Sequence, residues 1–325
     1  MQPTKSSSDA ITRRSLMAAA GGAALLTQAK SANAAGKAAG PKPKVAIFSK
    51  HLLFLKGEEL AKGASELGFD GIDLAVRKGG HVEPERVKQD LPPLVKLIRA
   101  RGLEVPMITT DIVDTETPHT EDMLQTMADL NIRYYRWGTG YKYEAGKPYA
   151  AQLDAMKPRI AKLAAMNAKY QANAIFHTHS GVGLVGAPIW DLHILLKDFD
   201  PKAVGINYDI GHATVEGGYG GWIDSFYISG RHLRGIAVKD FLWQKGPRGW
   251  IPAWKPLGEG MVHLQQFFNM VAATDFAGPL QLHFEYPLGG ADTGKTNLTS
   301  SKEEVFAAMK RDLGLLRGYL DQAYA

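Results

Sequence analysis

Hydrophobic and polar positions along this chain fall into two alternating periods. Short β-type runs recur at Val45–Phe48, Gly71–Val76, Glu104–Ile108, Tyr134–Trp137, Asn173–Phe176, Val204–Tyr208, Leu233–Val238 and Leu280–Phe284. Between them apolar residues stand three and four apart, the spacing that lays one helix face on a core. Leu91, Leu94, Leu97 and Ile98 form one such stripe, Ile160, Leu163 and Ala164 a second, and Phe267, Phe268 and Val271 a third. A closing helix is predicted from Glu303 to Tyr319, carrying Val305, Met309, Leu313 and Leu316. Eight strand–helix units predict an α/β fold, a single (β/α)8 TIM barrel. A doubly wound open sheet would place a glycine-rich phosphate loop after an early strand, and here Ser49-Lys50-His51-Leu52 follows the first one.

Composition narrows the chemistry. The chain has 325 residues, 45% hydrophobic and 22% charged, and no cysteine. That excludes a disulfide scaffold, a thiol nucleophile and a thiolate zinc site. The formal charge of +5 is mostly local. Lys5, Arg13, Arg14 and Lys30 against Asp9 fall in residues 1–34, leaving 34 basic and 32 acidic side chains in the rest. The body therefore carries no polyanion-binding signature, and no nucleic-acid partner is expected.

The first 34 residues read as a targeting segment. Thr12-Arg13-Arg14-Ser15-Leu16-Met17 sets an arginine pair before a mildly apolar stretch from Leu16 to Leu26, and Ala32-Asn33-Ala34 supplies small residues for cleavage. The segment resembles a bacterial twin-arginine export signal, which implies passage through the Tat machinery to the periplasm. Its apolar run is shorter than the roughly 20 residues of a spanning helix, so no membrane segment is expected in the mature chain. Residues 35–44 read as a linker rich in Gly, Ala, Pro and Lys, and residues 45–325 as the barrel.

In such a barrel the chemistry lies at the C-terminal strand ends and in the loops after them. Lys50 and His51 follow the first strand and Arg77 the second; Thr109, Thr110 and Asp111 follow the third, and Arg136 and Trp137 end the fourth. The fifth leads to His177-Thr178-His179-Ser180, the sixth to Asp209-Ile210-Gly211-His212, the seventh to Lys239-Asp240, and the eighth to His283 and Glu285. Imidazoles and carboxylates from neighbouring strands thus converge on one mouth.

The Asp209-Ile210-Gly211-His212 motif, the Val238-Lys239-Asp240 strand end and the Glu285 strand end resemble the xylose-isomerase-like sugar phosphate isomerase/epimerase family. The early segments Leu67-Gly68-Phe69-Asp70-Gly71-Ile72-Asp73 and Gly79-Gly80-His81-Val82 add to the likeness, which runs from Val45 to Tyr319. The resemblance implies one divalent metal held by a Glu after strand 5, the Asp of D-x-x-H, a His in strand 7 and a Glu after strand 8. Carried over, the Asp is Asp209 and the last Glu is Glu285. The other two positions depart: His177 stands where the first Glu is expected and Ala237 where the His is expected.

Two carboxylates and an imidazole could still hold Mn, Fe, Co, Zn or Mg, so Asp209, Glu285 and His177 are the expected ligands, with His212 or His283 as a fourth. The resemblance further implies proton transfer beside a carbonyl of a small carbohydrate; the export signal, with phosphosugars scarce in the periplasm, and the lack of a phosphate-cradling loop favour a free sugar, keto-glycoside or cyclitol over a phosphorylated one. Glu285 or His177 would be the base. Lys239, inward by strand alternation, would neutralise oxygen charge, unless it only makes a salt bridge to Glu285 or Asp209. His51, Arg77, His179 and His212 are expected to contact sugar hydroxyls, and Trp243, in an aromatic loop with Trp250 and Trp254, to stack on a sugar face. With His177 replacing a carboxylate, isomerisation or β-elimination from a keto-glycoside stands beside epimerisation, and a non-catalytic sugar-binding barrel stays open, as does assembly into a homo-oligomer.

Overall fold

The structure, a computed structural model, describes residue 38 and residues 40–138, 140–247 and 249–325. The export segment expected at residues 1–34 lies outside the described residues. The barrel strands are β1 (Val45–Phe48), β2 (Gly71–Ala75), β3 (Glu104–Thr109), β4 (Tyr134–Trp137), β5 (Asn173–His177), β6 (Val204–Asp209), β7 (Leu233–Val238) and β10 (Leu280–Leu282). All pair in parallel, in chain order, and β10 closes on β1 through Val45↔Leu280 and Ile47↔Leu282. This is the expected (β/α)8 TIM barrel.

The helices are α1 (Gly57–Leu67), α2 (Val87–Ala100), α3 (Thr120–Asp129), α4 (Tyr149–Tyr170), α5 (Trp190–Leu196), α6 (Ile210–Gly217), α7 (Gly221–Ser229), α8 (Leu264–Ala272) and α9 (Lys302–Ala323). They lay Leu60, Leu91, Ile98, Leu124, Ile160, Leu163, Phe267 and Met309 against the outside of the barrel as one continuous core. Ser301 starts α9 with a reciprocal capping box to Glu304, which fixes where the last helix begins. Among the described residues no helix is long and apolar enough to cross a membrane.

One element departs from the expectation of a loop. Residues after β7 form an antiparallel hairpin, β8 (Asp240–Gly246) with β9 (Gly249–Lys255), in register from Asp240↔Lys255 to Gly246↔Gly249. Asp240 anchors its base by accepting hydrogen bonds from the backbone N–H groups of Phe241, Gly258, Gly260 and Val262. The aromatic and aliphatic residues of the segment pair across two strands.

Candidate active site

The centre of the site is built from β6 and β7. Asp209 ends β6 and caps α6, its Oδ1 accepting the His212 backbone N–H at 3.0 Å. The D-x-x-H spacing is thus a helix start, and it turns Oδ2 into the barrel. There Lys239 meets it. β7 pairs with β6 at Asp209↔Ala237, and two residues on, the Lys239 side chain lies on the same inward face, 3% exposed. Its ammonium stands 3.1 Å from Asp209 Oδ2, donates to Glu285 Oε2 at 2.8 Å, and donates to His212 Nε2 at 2.7 Å. The Asp209 contact is one of charge, since Oδ2 takes no well-directed hydrogen bond. Gly211 leaves room for the lysine: a Cβ there would lie 2.7 Å from Lys239 Cγ.

Burial alone would neutralise this cluster, and the ion pairs oppose it. Burial would lower the Lys239 pKa, but Asp209 and Glu285 hold it above its ordinary value. Burial would raise Glu285, but Lys239, with Lys50 at 3.5 Å from Oε1, holds it well below the usual carboxylate range. Asp209, fully enclosed, is pushed up to about 6 by desolvation against the pull of Lys239. At neutral pH the pair of carboxylates is matched by the pair of lysines.

Beside this lies a group of imidazoles. His177 ends β5, stacks on His283 with ring centroids 5.3 Å apart, and sets Nε2 3.5 Å from Asp209 Oδ2. Asn207 Nδ2 lies 3.0 Å from His177 Nδ1 and donates to Gln281 Oε1 at 2.9 Å. With Asn207 donating, His177 Nε2 carries the hydrogen; with the amides turned about, Nδ1 carries it and Nε2 is bare. His283, 5% exposed, has no partner on either nitrogen among the described residues. Burial pushes both histidines well below their ordinary pKa, so both are neutral.

His177, Asp209 and His283 each offer a ligand atom within 4.8 Å of the others. Two neutral imidazoles and a carboxylate form a set that suits a divalent transition ion, and the His283 nitrogens, which have no hydrogen-bond partner among the described residues, are atoms an ion would satisfy beside Asp209 Oδ2. The residues fit a metal through these three. Glu285, expected as a ligand, borders the group at 3.9 Å from His283 Nδ1 but is engaged by the two lysines.

Other expected contacts divide. His179 donates Nδ1–H to the His177 carbonyl at 3.0 Å, which leaves Nε2 a bare acceptor at the mouth; burial lowers its pKa to about 4. His212 is withdrawn from substrate contact, because Lys239 takes Nε2 and Ser180 Oγ lies 2.8 Å from Nδ1. His51 is withdrawn too. It is fully enclosed, donating Nδ1–H to the Ala291 carbonyl and accepting the Phe284 N–H at Nε2, so no atom is left for a sugar hydroxyl. Trp243 is 37% exposed on the hairpin, edge-on to Phe241. The indole at the site is instead Trp254 of β9, with Lys239 Nζ 4.4 Å from its ring centre and His212 edge-on at 4.9 Å. Arg77 stands at the mouth, 5.4 Å from the Phe48 ring centre.

Arg136, placed at a strand end by the sequence but given no role there, projects inward from β4 to 6.0 Å from the Phe48 ring centre. Its signal was an arginine at a barrel strand end. A cavity of about 610 Å³ opens at the opposite, N-terminal end, lined by Lys44, Asp70, Glu104 and Arg133 among others. There Lys44 pairs with Glu104 and Asp70 takes the Val45 N–H, so that end stabilises the barrel bottom.

The sequence profile of the xylose isomerase-like TIM barrel family matches residues 61–306. The chain belongs to this family. Among solved structures it is similar to a D-tagatose 3-epimerase-like protein, at 15% identity and a TM-score of 0.63, over 86% of this chain and 98% of that one. It is also similar to 3-keto-D-glucoside 4-epimerase, YcjR, from E. coli, at 13% identity and a TM-score of 0.59, over 85% and 100%. A xylose isomerase-like TIM barrel protein from Mycobacterium smegmatis in complex with magnesium matches at 15% identity and a TM-score of 0.60, over 87% and 98%. No curated protein sequence matches.

Proposed function

We propose that this chain is a sugar isomerase/epimerase-like enzyme that moves a proton on the carbon beside a carbonyl of a non-phosphorylated carbohydrate or cyclitol. The observation that carries the reading is the Lys239 ammonium, enclosed between Asp209 and Glu285 at the C-terminal mouth of the barrel. Removing a proton beside a carbonyl puts negative charge on the carbonyl oxygen, and a fixed, water-shielded cation stabilises that charge without reorganising.

Glu285 is the base in this account. At rest its pairing with Lys239 and Lys50 makes it a poor one. A substrate oxygen that takes a hydrogen of Lys239 displaces Glu285 Oε2, weakens the ion pair and raises the basicity of the carboxylate where it is needed. His179 Nε2, bare and neutral, is the second proton carrier at the mouth. His177 and His212 act through others, His177 on Asp209 and His212 on Lys239. A divalent ion held by His177, Asp209 and His283 would add Lewis acidity to the same oxygen, and the two imidazoles favour Mn, Fe, Co or Zn over Mg. Export by the twin-arginine segment to the periplasm is part of the proposal, and free sugars or keto-glycosides are the substrates it favours.

The test is proton NMR of free keto-sugars and keto-glycosides in D₂O with the mature protein, with and without Mn²⁺ or Zn²⁺. Deuterium is expected at the carbon beside the carbonyl. Saturable sugar binding with no exchange in any of them would favour a binding protein instead, and loss of the glycosidic substituent would favour β-elimination.

A further inference from the structure

The side of the mouth away from Lys239 carries positive charge that the proton-transfer chemistry does not use. Three cations surround one ring: Lys50 Nζ, Arg77 Cζ and Arg136 Cζ lie 5.8, 5.4 and 6.0 Å from the centre of Phe48. The same ring packs on His283 at 5.0 Å, so this group and the acid–base cluster share one cavity mouth. Lys50 is already committed to Glu285. Arg77 and Arg136 are not.

Arg136 is the informative one. Its side chain is only 7% exposed, its Nε has no hydrogen-bond partner among the described residues, and no carboxylate closes to ion-pair distance of it. Asp73 and Asp111 supply only their field. Asp73, the buried one of the two, already accepts the Thr109 hydroxyl on both oxygens at 2.9 Å. Enclosing a guanidinium this far with its Nε lacking an acceptor costs the fold stability. Phe48 contributes cation–π attraction, which is a small return for that cost. The arrangement makes sense when the missing partner arrives with the ligand.

We propose that the substrate carries a carboxylate, received by Arg136 and Arg77 over the face of Phe48. The proposal rests on the reading of a carbohydrate site at this mouth and narrows its substrate class to sugar acids. Geometry and charge both support a carboxylate. Planar guanidinium forks match its pair of oxygens. Burial raises the Asp73 carboxyl to about 7, so the two guanidiniums keep at least one positive charge for a substrate carboxylate to neutralise. A substrate pinned there would turn its far end toward His283 and the Lys239 cluster.

Two measurements on the mature chain test it. In the ligand-free protein, Arg136→Met keeps the aliphatic packing and removes the stranded charge, so its Tm should rise by about 2–5 °C. A fall in Tm, or failure to fold, would mean the guanidinium is a structural element and would overturn the proposal. Calorimetry then compares hexuronates and aldonates with their neutral parent sugars and with sugar phosphates. At least one acid should bind about tenfold or more tighter than its parent, and Arg136→Met or Arg77→Gln should erase that preference. No preference for any acid, a stronger preference for phosphates, or a preference that survives both substitutions would overturn it. Solvent exchange with neutral keto-sugars is read separately. Exchange without acid preference leaves the proton-transfer reading standing, and acid binding without exchange leaves the carboxylate subsite standing.

Discussion

Replacing Lys239 by Met removes one ammonium from between two carboxylates while nearly keeping its volume. The loss leaves Asp209, fully enclosed, with only the His212 N–H and the distant His177 edge for company. Glu285 keeps Lys50 and is partly exposed, so it suffers less. Removing one partner of an enclosed ion pair costs about 3–5 kcal/mol, and that is the expected loss in unfolding free energy near pH 7.5. The pH dependence follows from Asp209. Its pKa is raised to about 6 with the lysine present and must rise further without it. A carboxyl raised in the folded state binds a proton there that the unfolded chain binds only at lower pH, so stability grows as pH falls through the folded pKa. The variant gains more than the wild type on this path, and the gap between them should narrow toward pH 5. Urea unfolding followed by circular dichroism at both pH values reads it. A loss below about 1 kcal/mol near pH 7.5, or a loss equal at both pH values, would refute Lys239 as the charge that holds Asp209 ionised. An Asp209→Asn, Lys239→Met double variant should recover most of the loss.

Other consequences can be measured independently. Gly211→Ala puts a methyl 2.7 Å from Lys239 Cγ and 3.0 Å from its carbonyl oxygen, and denaturant titration should show a loss of about 1–3 kcal/mol. Metal content after reconstitution should fall in Asp209→Asn and His283→Ala but change little in Glu285→Gln, by mass spectrometry; a larger fall in Glu285→Gln would restore it as a ligand. Lys239→Met, having lost a positive charge beside Asp209, should bind Zn²⁺ or Mn²⁺ more tightly than wild type. Replacing Arg13 and Arg14 by Lys should trap precursor in the cytoplasm, read by fractionation and immunoblot, and unimpeded export would contradict the twin-arginine assignment.

The barrel was legible because each strand is a short apolar run between helices whose stripes fall three and four apart. The polar ends of β5 and β6 were less so. His177 and Asp209 extend their strands because inward polar side chains find partners inside the mouth, a reward local propensity does not contain. Asp209 was legible as a D-x-x-H motif because that spacing is also a helix cap. Lys239 followed from alternation with Ala237. His51 was misread because its partners, Ala291 and Phe284, lie more than two hundred residues away. Glu285 stands three residues beyond the end of β10, where alternation no longer places a side chain, and it turns to the lysines while His283 takes the place beside His177. Arg136 was visible as a strand-end arginine, but its lack of a partner is a property of the folded mouth alone. Trp254 stands at the site and Trp243 does not because the register puts Trp254 opposite Phe241 near the hairpin base, while Trp243, on the same face, pairs with Pro252 two residues further out.

Under the proposed chemistry the mouth moves a proton beside a carbonyl with Lys239 as its fixed cation. Deuterium incorporation from D₂O into keto-sugars and keto-sugar acids, followed by NMR with wild type and Lys239→Met in parallel, tests it most directly. Exchange is expected at the carbon beside the carbonyl in the wild type, with a loss of about 100-fold or more in the variant, the scale of removing one oxyanion-stabilising group. Exchange that survives undiminished in Lys239→Met, or none in the wild type with any carbonyl sugar that binds, would contradict it.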